Sequence, residues 1–116
     1  METERISRRN VGPGKSGQWG IYEVPKRVDA FNFEDFSEQL KNYVNTKGPW
    51  VALDCSTTTF LSLIAIKFIS EQADILVGKN GGMAIIGPTE KLKRQISIYA
   101  TLDNIMVVSD PEKLSS

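Results

Sequence analysis

The stretch from Trp50 to Ile69, WVALDCSTTTFLSLIAIKFI, constrains this chain more than any other. Trp50 to Leu53 is a short apolar run ending in Asp54, as expected of a buried strand, and Cys55 to Thr59 supplies hydroxyl-bearing residues that favour local side-chain-to-backbone hydrogen bonds over a regular ladder. Ser62 then stands where its oxygen can accept from the unpaired N–H groups of a first helical turn. A nearly continuous apolar segment follows. A strand, a polar turn and an apolar helix in this order place a sheet-to-helix junction at the centre of the fold.

The flanking chain repeats the alternation. Glu4 to Arg9 is compatible with a first edge strand, Gln18 to Val24 reads as a second strand ending at Pro25, and the turn-rich Val11–Gly17 between them makes the pair a hairpin. Asn32 offers an N-cap with Asp35 three residues on. Phe33, Phe36, Leu40, Tyr43 and Val44 recur at helical spacing, predicting a helix over about 33–45 that Lys47-Gly48-Pro49 stops. The second helix is expected from Leu63 to about Val77, its apolar residues covering more than one stripe over the first two turns, and Gly78 to Gly82 forms a turn. Met83 to Ile86 is another buried strand, broken by Gly87-Pro88. Thr89 can cap a third helix in which Leu92, Ile96 and Tyr99 stack on one face while Lys91, Lys93 and Arg94 point to water. Asn104 to Ser109 is a last strand, and Asp110-Pro111 starts a tail with room for a short helix.

The predicted order is β-β-α-β-α-β-α-β. It implies an α/β domain with right-handed crossovers and a mostly parallel sheet of about five strands, three to four helices, an antiparallel edge from the hairpin, and helices on both faces. Functional surfaces in such sheets gather where strand C-termini meet helix N-termini, here Asp54 to Ile66 and Gly87 to Thr89.

Composition narrows the chemistry. With no histidine, a Ser/His/Asp triad and histidine metal ligands are out of reach, and a single cysteine excludes an internal disulfide or a thiolate metal cluster. Cys55, at the end of the central strand, is expected to be a small buried hydrophobe and not a reactive thiol. The 14 basic and 14 acidic residues cancel, removing the electrostatic argument for nucleic acid or an acidic membrane surface. No apolar run approaches the roughly 20 residues needed to span a bilayer, and METERISRRN has no apolar secretory region, so a cytoplasmic location is expected. Gly14-Lys15-Ser16 ends like a P-loop, but position 9 is arginine where that motif needs glycine, and strand follows where it needs helix.

Taken in order, Val28-Asp29-Ala30, Val51 to Ser56, Phe60-Leu61-Ser62, Gly81 to Pro88 and Leu102-Asp103-Asn104-Ile105 make the chain resemble the STAS domain, the fold of bacterial anti-sigma factor antagonists. The resemblance covers residues 18–112, leaving 1–17 as an N-terminal segment, flexible or an edge strand, and 113–116 as a tail. It implies a non-enzymatic module, without cofactor, that acts in transcription regulation by binding an anti-sigma factor that is also a serine kinase. In the family, phosphorylation of a hydroxyl at the start of the second helix ends that binding, since two negative charges in a packed interface repel acidic neighbours and demand desolvation.

The family pattern at that point is phenylalanine, an apolar residue, aspartate, serine, serine or threonine, glycine. This chain reads Phe60-Leu61-Ser62-Leu63-Ile64-Ala65, so the phosphoacceptor position falls on Ile64, which has no hydroxyl. The resemblance then implies a contact surface that has become apolar, suited to constitutive binding or to self-association as a homodimer. Asp29, Ser62, Leu63, Ile64 and Lys67 are the candidate partner contacts, and helical phase alone leaves open whether Leu63 and Ile64 face outward or pack in the core. Two alternatives remain: phosphorylation moved to Ser62 or to a residue among Ser56 to Thr59, and an accessory role in a larger assembly such as a transporter.

Overall fold

Two apolar strands, β3 (Trp50–Asp54) and β5 (Gly82–Ile86), form the centre of the sheet. Every residue of β5 is buried, as is Val51-Ala52-Leu53 of β3, because central parallel strands are covered on both faces and therefore read as continuous apolar runs. The computed structural model describes residues 19–99 and 104–114. Around the two central strands it places β1 (Gly20–Glu23), β2 (Arg27–Val28), α1 (Phe33–Lys47), β4 (Phe60–Leu61), α2 (Leu63–Gly78), α3 (Glu90–Tyr99), β6 (Ile105–Val108) and a short 3-10 turn at Pro111–Lys113.

The main sheet has the order β1-β3-β5-β6, with every neighbouring pair parallel. The mixed α/β class and the parallel core are as the sequence predicts. Residues 4–9 and Gln18, the expected hairpin partners, lie outside the described residues. The strand count differs in one respect: β2 and β4, two residues each, pair parallel in a small second sheet that periodicity does not reveal.

The expectation of helices on both faces is not met. α1, α2 and α3 all pack on one face: Phe36, Leu40 and Val44, then Ala65, Ile66, Ile69, Ala73 and Leu76, then Leu92 and Ile96 join Val51, Leu53, Met83, Ile85 and Ile105 in one core. Ala52, Ala84 and Ile86, on the other face, meet Trp19, Met106, Val108 and Leu114 instead. Strand order explains this. From β1 to β6 each crossover steps in the same direction along the sheet, and right-handed crossovers that never reverse direction stay on one side.

Two local expectations also change. Asn32 precedes α1 but its side chain does not cap it: Oδ1 accepts from the Asp29 N–H at 2.8 Å and Nδ2 donates to the Arg27 carbonyl at 2.8 Å. In α3, Thr89 caps as predicted, its Oγ1 accepting from the Leu92 N–H at 3.1 Å, and Leu92 and Ile96 are buried. Tyr99 is 49 % exposed. Ten residues of helix span about 15 Å, close to the roughly 13 Å of the four-residue β6, so the last residue of α3 reaches the rim of the sheet.

Candidate functional site

The N-terminus of α2 is built by the turn that follows β3. The Cys55 N–H donates to the Ile86 carbonyl at 2.8 Å, carrying the ladder one step beyond Asp54. Asp54 Oδ1 then accepts from the Ser56 N–H at 3.0 Å and from its hydroxyl at 2.7 Å, which turns the chain out of the sheet. Buried Thr58 donates its hydroxyl to the carbonyls of Val24 (3.3 Å) and Pro25 (3.1 Å), and the Thr59 N–H and hydroxyl both reach the Lys26 carbonyl, at 2.8 and 3.2 Å. The hydroxyl-rich stretch thus fastens the turn to the β1–β2 connection, whose carbonyls would otherwise lack partners.

Pairing of β2 with β4 sets Arg27 beside Phe60 and Val28 beside Leu61, and the Ser62 N–H donates to the Val28 carbonyl at 2.9 Å. The 29–32 loop is thereby held next to the start of α2. Its shape is fixed from within, the Phe31 N–H donating to Asp29 Oδ1 at 3.0 Å and Asn32 bridging Asp29 and Arg27. The Arg27 guanidinium stacks 4.7 Å over the Phe60 ring and stands 3.7 Å from Asp29 Oδ2. Asp29, a predicted contact, is therefore engaged in shaping this loop.

Ser62 is the N-cap, with Oγ accepting from the Ala65 N–H at 3.3 Å. Ser62→Ala is expected to lower stability by about 1 kcal/mol, the usual loss when a capping oxygen is removed, read as a shift of the denaturation midpoint with an unchanged slope. Leu63 and Ile64 are 44 % and 55 % exposed, so the helical phase that the sequence left open sends both outward, and Lys67 is exposed one turn on.

Sequence reasoning missed Phe31, which is 98 % exposed in the pinned loop beside this helix end. The available signal was a large aromatic set among polar and turn residues, just before the helical phase of Phe33 and Phe36 begins. Phe36 is buried and Phe33 half-buried, each packing edge-on against Phe68. Phe31, Leu63 and Ile64 are the exposed large apolar side chains of the two segments that the β2–β4 pairing brings together.

Catalytic groups are scarce here. Cys55 has no exposed surface, and burial pushes its thiol up to about 12, the nearby Asp54 charge adding to the rise and a hydrogen bond with Thr58 opposing it. At neutral pH it is a protonated thiol and not a nucleophile. Asp54 is occupied by Ser56 and Asp29 by the loop. Among the described residues there is no group of three or more acidic or cysteine side chains that could hold a metal, and no helix long and apolar enough to cross a membrane.

The sequence pattern of the STAS domain matches residues 13–113. No curated protein matches the chain. Among solved structures, the crystal structure of a candidate anti-sigma factor antagonist from Thermotoga maritima is similar, with a TM-score of 0.69 over 80% of this chain and 82% of that one at 14% identity. At that identity the likeness is one of fold, and it accords with a parallel sheet whose helices share one face. Because the pattern spans all but the ends of the sequence, this chain belongs to the STAS domain family.

Proposed function

We propose that the chain is a non-enzymatic, protein-binding regulatory module of bacterial transcription, acting in the cytoplasm as an anti-sigma factor antagonist does. Its partner is a regulatory protein, in the family's terms an anti-sigma factor with serine kinase activity. The reading rests above all on Phe31, Leu63 and Ile64, large apolar side chains exposed on backbone that hydrogen bonds hold in place. Burying such a side chain contributes about 1.5–3 kcal/mol, and a pinned backbone loses little further entropy on docking. Lys67 follows Ile64 one turn along α2, and Asp29 precedes Phe31 by two residues.

With Ile64 at the phosphoacceptor position, binding is constitutive: the hydroxyl that would receive the phosphate is absent. Affinity purification of the tagged chain from its own host, read by mass spectrometry, tests the proposal. Wild type is expected to recover a regulatory protein, and Ile64→Asp and Phe31→Ala to recover at least tenfold less of it. Ile64→Asp is expected to fold normally, since the position is mostly exposed and a carboxylate in the first helical turn suits the helix dipole. Equal recovery by all three proteins would refute the docking surface. Intact mass of the purified protein tests constitutive binding: an added phosphate on any of Ser56–Ser62 would show that the switch has moved.

A further inference from the structure

The outer ridge of α2 is patterned as a palindrome. Buried Ala65, Ile66, Ile69, Gln72, Ala73 and Leu76 turn one side of the helix to the core. The opposite side runs Ile64, Lys67, Glu71, Ile75, Gly78, all exposed, at the three- and four-residue steps that keep residues on one helix face. Ile64 and Ile75 lie about 8 Å to either side of the midpoint, and Lys67 and Glu71 about 3 Å to either side, at 1.5 Å per residue. Neither Lys67 nor Glu71 forms an ion pair among the described residues. Ile64 and Ile75 are 55 % and 43 % exposed, the two apolar ends of a ridge whose middle is charged.

An antiparallel partner helix would reverse this order, and only a sequence with opposite charges on the two sides of the midpoint then meets its complement. Two copies of this helix do. A two-fold axis through the middle of the ridge sets Ile64 against Ile75 of a second copy, Lys67 near Glu71, and each contact twice. α2 is also the middle helix of the layer, flanked by α1 and α3, so the ridge is central on that face of the molecule. Gly78, with open space around it, allows close approach at the end of the ridge.

We propose that two copies of this chain associate through antiparallel pairing of their α2 ridges. The proposal does not depend on the regulatory partner. It shares Ile64 with that docking surface, so a paired chain withholds this residue from other partners. One helix pair buries less than a standard interface, and the expected dissociation constant is on the order of 100 µM.

Sedimentation of the purified full chain up to about 1 mM at low salt tests this, the weight-average mass being expected to rise toward the dimer. Lys67→Glu and Glu71→Lys alone should each weaken association at least tenfold by placing like charges across the axis. The Lys67→Glu/Glu71→Lys double variant should restore it to within about threefold of wild type, as should an equimolar mixture of the two single variants, in which neither chain regains a Lys–Glu pair along its own helix. A monomer at every concentration, or a double variant as weak as the single ones, would overturn the proposal while leaving the docking surface untested by either result.

Discussion

Gly81→Ala is expected to destabilise the fold by about 3 kcal/mol or more, the upper end of what over-packing costs, and to lower the melting temperature by roughly 10 °C. A Cβ at this position would lie 2.0 Å from the Pro49 carbonyl oxygen and 2.4 Å from the proline Cβ. Both neighbours belong to the chain entering β3, so neither can swing aside as a surface side chain would. Gly81 also closes α2, its N–H donating to the Leu76 carbonyl at 2.8 Å, and the next residue opens β5 through Gly82 N–H to Pro49 carbonyl at 2.9 Å. A shift that relieved the collision would break the entry of both central strands. Gly78→Ala is the contrasting case: nothing lies within 4 Å of the added carbon, and alanine is the better helix former by roughly 1 kcal/mol in a helix interior. Thermal melts of the two variants should move in opposite directions, or Gly78→Ala should stay at wild type. A Gly81→Ala protein as stable as wild type would show that the β3 entry yields more easily than its packing implies.

The second large effect is on alkaline stability, through Cys55. Its thiol rises from an ordinary value of 9.0 to about 12 in the folded protein, with burial the leading cause. The folded state therefore keeps a proton that the unfolded chain gives up. This stabilisation is fully present below about pH 9 and is lost as pH climbs toward 12, with a limiting size of about 4 kcal/mol. Cys55→Ala removes the titration, costs a small and pH-independent cavity, and leaves other alkaline groups common to both proteins. Among those is Tyr22, whose hydroxyl is itself raised by partial burial and then by Asp35. Denaturant unfolding at pH 8, 9, 10 and 11 should show wild type ahead at first, its margin shrinking and then reversing. A margin constant over this range would mean that the thiol is not held protonated.

Much of the scaffold was legible in the residues. β3 and β5 announce themselves as unbroken apolar runs because both of their faces are covered, and Ser62 and Thr89 cap the helices they precede for a purely local reason. The candidate surface was legible in part. Leu63 and Ile64 could be named, yet their direction depends on which side of α2 meets the sheet. Asp29 looked like a free contact, and the loop uses it to hold the Phe31 N–H. Phe31 itself was passed over, since periodicity has nothing to say about one aromatic in a turn.

By itself the sequence determined the alternation of strands and helices, the buried thiol, the absence of a hydroxyl at position 64 and the family to which these belong. These follow from local chemistry and from residue spacing, which a chain carries whatever it packs against. Tertiary structure alone decided that all three helices share one face, because that follows from strand order. It also decided that β2 and β4 exist at all, since strands of two residues are stable only through the partner they find. Those two strands bring the 29–32 loop to the start of α2, setting Phe31 beside the strand-to-helix junction at Ser62 that organises the chain.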